Sequence, residues 1–153
     1  MSLRITIEDK YKTAIKSKNT NEVNTLRLIK SAIKDRDIAM RSGDTNNIIS
    51  DQEILSLLQN LIKQRKDSID AFKVAFRDDL VANEQSEIDI ISNFLPKQMN
   101  EIETENLIQL IVEKNNLSSL KDMGRLMSEL KANHAGSIDM ALAGKIAKSK
   151  LAN

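Results

Sequence analysis

Residues that interrupt helices are nearly absent from this chain, and their scarcity constrains the fold more than any other feature. Its 153 residues include one Pro and four Gly, whereas β-sandwiches and barrels need frequent turn residues between short strands. Leu, Ile, Ala and Met recur instead at the three- and four-residue spacing of amphipathic helices. Aromatic residues make up only 3% of the chain, so the core has to be aliphatic. We therefore predict an all-α protein.

The single proline, Pro96, marks the predicted boundary between two helical domains. The residue before a proline is biased away from helical geometry, and Pro96 opens the polar segment PKQMN. We expect an N-terminal bundle of about four helices over residues 1–95 and a smaller three-helix domain over residues 96–153. A loop is predicted over residues 43–50. Capping residues indicate helix starts at Thr6, Thr20, Ser50, Asn100, Ser119 and Ser137.

Glycine and methionine give further expectations for the C-terminal domain. Gly124 interrupts the predicted sixth helix, where glycine costs about 1 kcal/mol relative to alanine. We expect it to allow another helix to approach closely. Methionine fills irregular gaps in apolar cores, and we predict core positions at Met99, Met123, Met127 and Met140.

Several kinds of active site are disfavoured by what the chain lacks. It has no Cys, and its one His, His134, is too few for a multi-histidine metal site. No apolar run approaches the ~20 residues that cross a bilayer. The acid pair Asp78 and Asp79 lies at a predicted helix start, where the helix dipole accounts for it. We therefore assign no catalytic residue, no cofactor, no metal and no membrane partner.

The predicted location is the cytoplasm. The first ten residues, MSLRITIEDK, contain acids and no apolar stretch of the kind found in signal peptides. The absence of Cys is also typical of reducing compartments.

Arg65 falls inside an apolar stripe. It follows Ile62 by three residues and precedes Ile69 by four, so its guanidinium must either extend to water or contact an acid. Glu84 and Glu87, on the next antiparallel helix, are the nearest candidates. A structural ion pair is favoured, and a ligand-binding arginine is the alternative.

Positive charge is concentrated toward the C-terminus, where seven Lys or Arg accompany three Asp or Glu from residue 114 onward. Lys121 and Arg125 are about one turn apart, as are Lys145 and Lys148, so each pair shares a helix face. Two such faces could contact nucleic-acid phosphates, although a merely solvated surface is the competing interpretation. No aromatic residue lies in this part of the chain, so stacking on unpaired bases is not expected.

Several segments occur together in an order that resembles the YqeY family. They are KQRKDS at 63–68, RDDL at 77–80, FLPKQ at 94–98 and KDMGRLM at 121–127. The C-terminal part is similar to the tail domain of the B subunit of the tRNA-dependent amidotransferase. The resemblance extends over essentially the whole chain and implies an all-helical protein of two domains.

In that amidotransferase the tail domain helps to hold tRNA, while the chemistry belongs to other domains and another subunit. The resemblance therefore implies an accessory tRNA-binding protein without its own catalytic site, acting alongside an amidotransferase-type protein partner. One alternative is a helical adaptor that binds protein and no nucleic acid. A second rests on family association only, and is carbon–nitrogen ligase activity with glutamine as the amido-nitrogen donor.

Overall fold

The computed structural model describes residues 2–41, 43 and 47–152. These residues form seven α-helices and one short 3-10 helix, with no strand among them, which confirms the predicted all-α class. The 3-10 helix, Leu120–Asp122, directly precedes the sixth α-helix. The α-helices are α1 Leu3–Lys16, α2 Thr20–Met40, α3 Asp51–Val74, α4 Asp78–Ser92, α5 Glu101–Lys114, α6 Met123–His134 and α7 Met140–Ala152.

The chain divides into two compact units, Met1–Leu95 and Pro96–Asn153. In the first unit α3 packs along α4 and α1 along α2. In the second unit α5 and α6 pack against α7. Each unit has an aliphatic core, which includes Leu26, Ile54, Leu58 and Ile91 in the first and Ile108, Leu126, Leu130 and Ile138 in the second. That each unit folds independently stays a prediction.

Ser119 is confirmed as the N-cap of the 3-10 helix that leads into α6, where the Asp122 carboxylate accepts its N–H. The predicted starts at Ser50 and Asn100 are complete capping boxes. The Ser50 side chain accepts the N–H of Glu53, and the Glu53 carboxylate accepts the N–H of Ser50 in return. Asn100 and Glu103 form the same reciprocal pair at the start of α5. Each box satisfies backbone donors that the first helical turn leaves without a partner, and so fixes where α3 and α5 begin.

Three other predicted caps, Thr6, Thr20 and Ser137, are wrong. Ser2 caps α1, which starts earlier because Leu3 packs against the core of the first unit. Asn19 caps α2 and makes Thr20 its first helical residue. At the start of α7, the Asp139 carboxylate accepts the N–H groups of the residues two and three positions later. Short polar residues near one another compete for the cap, and packing decides between them.

The predictions for glycine and for methionine have different outcomes. The close approach expected at Gly124 is wrong, because the structure describes no other side chain or helix within 4 Å of where a Cβ would stand. Gly43 adopts the left-handed φ of +63° that is common just past a helix. Residues 44–46 of the predicted loop lie outside the described residues. The four methionines predicted for the core do pack against the core of the second unit.

Candidate nucleic-acid interface

Four cations of the second unit lie on the solvent side of the elements that carry them. Lys121 belongs to the 3-10 helix, Arg125 to α6, and Lys145 and Lys148 to α7, and all four residues are exposed. The apolar stripes of α6 and α7 occupy other positions of the helical repeat and face the core. Their buried residues are Leu126, Leu130, Ala143, Ala147 and Leu151.

None of these four cations forms an ion pair or a side-chain hydrogen bond within the part of the chain that the structure describes. Lys150 of α7 is different, since its Nζ lies 3.6 Å from Glu105 Oε1 and donates to Gln109 Oε1 at 3.0 Å. Lys150 therefore ties α7 to α5. Among the residues that the structure describes, the four candidate cations hold no comparable contact, so an external anion can neutralise their charges.

Asp122 sets the electrostatics beside Arg125. Its carboxylate accepts the N–H groups of Ser118 at 2.8 Å and Ser119 at 3.2 Å. These backbone donors, with a smaller contribution from Arg125, hold the pKa of Asp122 below its ordinary value. The ionised carboxylate stabilises the turn that carries Lys121, and it also reduces the positive potential next to Arg125.

The elements that carry the cations contact one another, because α7 packs against both α6 and the 3-10 helix. The candidate interface therefore has two parts. The α6 face consists of Arg125 together with Lys121 of the 3-10 helix that leads into α6, and the α7 face consists of Lys145 and Lys148. Exposed cations on rigid helices suit contacts with a phosphate backbone. They do not enclose a small substrate, which requires a concave and largely apolar site.

Arg65 of α3 contacts Glu87 of α4. Arg65 Nε donates to Glu87 Oε2 at 2.8 Å, and Nη1 donates to the carbonyl of Leu61 at 3.0 Å. The two side chains are 13% and 19% exposed, so the pair is largely removed from water. Glu84, the other candidate partner, makes no ion pair with Arg65 among the described residues. This geometry favours the structural interpretation of Arg65 over the ligand-binding one.

Another ion pair of the first unit joins Arg4 and Asp37, and it was not predicted. The carboxylate of Asp37 is 11% exposed and lies on the buried side of α2. It follows Ile33 by four residues, and an acid inside an apolar stripe is the signal that could have identified it. The pair joins helices and contributes to the fold of the first unit.

The described residues offer few groups for a metal site, an enclosed ligand site or a membrane span. No set of three or more His, Asp or Glu side chains there could hold a metal ion. A shallow polar cleft of about 530 Å³ lies between α2 and α4, but its side chains bond to one another, Asn21 with Ser86 and Gln85 with Asp89. None of the described helices is long and apolar enough to span a bilayer. The absence of a catalytic residue, cofactor or metal stays a prediction.

Comparisons with known proteins identify relatives over most of the chain. The family model described as Yqey-like protein matches residues 4–151. A Pyrenophora tritici-repentis protein, named altered inheritance of mitochondria protein 41, mitochondrial, is 32% identical over 125 residues, which cover 78% of this chain and 66% of the relative. A protein of the same name from Lachancea thermotolerans is 34% identical over 117 residues, which cover 72% of this chain and 60% of the relative. Another from Saccharomyces cerevisiae is 37% identical over 84 residues, which cover 55% of this chain and 43% of the relative. The chain thus spans less than two thirds of the length of these relatives.

The relatives' names contradict the predicted cytoplasmic location, because all three are named as mitochondrial proteins. A chain without Cys has no need of a disulfide-forming compartment, but this property does not distinguish among the remaining compartments.

Proposed function

Because this chain belongs to the Yqey-like protein family, as its motifs predicted, we propose that it is an accessory RNA-binding protein that engages tRNA through the α6 and α7 faces. The proposal gives the chain no catalytic site of its own, and its protein partner is of the amidotransferase type. One observation carries it. Lys121, Arg125, Lys145 and Lys148 are exposed, sit on packed helical elements and have no acidic partner within ion-pair distance among the described residues.

We expect the binding to be electrostatic and to depend on the shape of the RNA rather than on its sequence. The net charge of the whole chain is only +1, so attraction for a polyanion depends on these local faces. Each phosphate that a cation neutralises releases counterions, and the affinity therefore falls steeply as salt increases. Since the second unit lacks aromatic residues, contacts to the RNA backbone and its 2′-hydroxyls dominate over base stacking.

The test compares two fourfold charge reversals that alter net charge equally. The first changes Lys121, Arg125, Lys145 and Lys148 to Glu. The matched control changes four exposed lysines of the first unit that form no ion pair with the described residues, namely Lys34, Lys63, Lys66 and Lys73. Binding to tRNA is followed by fluorescence anisotropy between about 50 and 200 mM salt, and circular dichroism checks that both variants keep their helices.

We expect the first variant to lose binding and the control to keep most of it. Single changes to Ala at the four sites should each flatten the slope of log affinity against log salt by about 0.7–0.9. If the unaltered chain does not bind tRNA at low salt, or if the two reversals weaken binding equally, the proposal is wrong. A protein partner captured without tRNA would then favour the adaptor, and amidation that requires glutamine and ATP would favour the ligase.

A further inference from the structure

The outer side of α5 exposes two large apolar side chains. Ile102 is 69% exposed and Leu110 is 64% exposed. With Asn106 between them, they follow one another at four-residue intervals and form a stripe about 12 Å long on one side of the helix. The buried side of the same helix consists of Thr104, Ile108 and Ile111. The core of the second unit therefore makes little use of Ile102 and Leu110.

Acidic side chains border this stripe. Glu103, Glu105 and Glu113 are exposed residues of α5, and Lys114 is the helix's only cation. Glu105 is near Lys150, at 3.6 Å, whereas Glu103 and Glu113 form no ion pair with the described residues. The 3-10 helix, α6 and α7 together carry six Lys or Arg and two Asp or Glu. The second unit thus concentrates acids on α5 and cations on its other helical elements.

We propose that the α5 face, defined as Ile102, Asn106 and Leu110 with the flanking Glu103, Glu105 and Glu113, docks a basic amphipathic helix of a partner protein. An apolar stripe of two turns matches the apolar side chains that such a helix presents at intervals of three, four and seven residues. Lys or Arg beside the partner's stripe would meet the glutamates, and this complementarity would select and orient the partner.

Two other occupants fit the α5 face less well. A nucleic acid is disfavoured because the glutamates repel phosphates. A second copy of this chain could offer its basic helices α6 and α7, but both turn their apolar stripes into the core of their own unit. The α5 face also shares no residue with the α6 and α7 faces, so the inference does not depend on RNA binding.

The experiment measures binding of fluorescent synthetic peptides to the full chain. The probe is a Leu/Lys peptide of about 20 residues, long enough to form a helix, with Leu on one side and Lys on the other. One control peptide has the same composition in an order that destroys the apolar side. A second control replaces every Lys by Glu. We expect the basic amphipathic peptide to bind, with an affinity that falls as salt rises, and both controls to bind at least about tenfold more weakly.

The matched protein variants are Ile102→Ser with Leu110→Ser, and Val74→Ser with Phe76→Ser. Val74 and Phe76 are 79% and 90% exposed, so the second variant removes a comparable apolar pair from the first unit. Truncating two apolar anchors should weaken peptide binding on the order of tenfold in the α5 variant only. Glu103→Gln with Glu113→Gln should lower the salt dependence, and Gln at position 103 preserves the capping box.

Several outcomes would overturn the inference. The first is that the basic amphipathic peptide binds the two serine variants with the same affinity. The second is that the acidic peptide binds as tightly as the basic one, and the third is that no peptide binds. Sedimentation velocity of the unaltered chain measures whether it self-associates, and so tests a second copy as the occupant of the α5 face. Self-association that the α5 serine variant abolishes would assign the face to another copy of this chain and would also overturn the proposal.

Discussion

Arg4 of α1 and Asp37 of α2 form a two-pronged ion pair, with Nη2 2.6 Å from Oδ1 and Nη1 2.9 Å from Oδ2. The same carboxylate accepts the N–H of Ile49 at 2.9 Å, and Arg4 Nη2 also donates to the Ile49 carbonyl at 3.1 Å. One carboxylate therefore fastens both α1 and the segment that leads into α3 onto α2. Such planar, paired contacts are stronger than single hydrogen bonds between neutral groups.

Removing this carboxylate should destabilise the first unit. Asp37→Ala leaves the guanidinium of Arg4 and the N–H of Ile49 without their acceptor, and we expect a loss of about 3 kcal/mol in the free energy of unfolding. Urea denaturation followed by circular dichroism measures it. Asp35→Ala is the control, because Asp35 is exposed and forms no ion pair with the described residues. A loss below about 0.5 kcal/mol for Asp37→Ala, typical of surface pairs, would contradict the structural role.

Asp37 should also make stability depend on pH in the acid range. The hydrogen bond from Arg4, together with the N–H of Ile49, holds the pKa of Asp37 below its ordinary value. The resulting stabilisation is complete above the pKa of the unfolded chain, about 3.9, and disappears as the pH falls through the lower folded pKa. Measured from pH 6 downward, the unfolding free energy should therefore decline more steeply in the unaltered chain than in Asp37→Asn. Parallel curves would contradict the prediction.

Arg65→Ala should destabilise the contact between α3 and α4 by on the order of 3 kcal/mol. The reason is that Glu87, 19% exposed, would lose the cation at 2.8 Å from its carboxylate. Thermal and urea unfolding measure the loss, with Lys66→Ala on an exposed position of α3 as control. Glu87→Gln should reproduce part of the effect and Glu84→Gln should not. Equal effects of the two glutamate changes would show that the pairing is wrong.

The 1–95 fragment should fold by itself. Its four helices share a core that includes Leu26, Ile54 and Ile91, and a core made within one unit needs no residue of the other. Circular dichroism should show a helical spectrum and a cooperative urea transition. A fragment that is unfolded, or that melts without cooperativity while the full chain does not, would count against two independent domains.

Phe76→Gly should stabilise the protein by about 1 kcal/mol. Phe76 follows α3 with a left-handed φ of +56°, a conformation that costs a side-chain-bearing residue about 1–2 kcal/mol. Its ring is 90% exposed, so little burial is lost. Phe76→Ala separates the effect of losing the ring from the effect of relieving backbone strain, because it removes the ring and keeps the Cβ that causes the strain. The melting temperature should rise for Gly and stay nearly unchanged for Ala, and equal shifts would show that strain is not the cause.

Local spacing explains why some of these features were predictable. Ser50 and Glu53 are three residues apart, so a reciprocal cap between them depends on one turn of backbone and little else. The same holds for Asn100 and Glu103. Arg65 could be recognised as unusual because Ile62 and Ile69 place it on an apolar stripe. The caps at Thr6 and Ser137 failed because several short polar residues satisfy the same local rule, and core packing of Leu3 selected Ser2 for α1.

By itself the sequence determined the helical class, the alternation of apolar and polar faces and the position of the charges along the chain. These properties follow from interactions within one or two turns, which spacing alone describes. Only the tertiary structure decided that Arg65 contacts Glu87, that Arg4 reaches Asp37 across 33 residues, and that Ile102 and Leu110 remain exposed. Each of these depends on which helices pack together and in which rotation about their axes, and that is settled by the combined burial of many side chains.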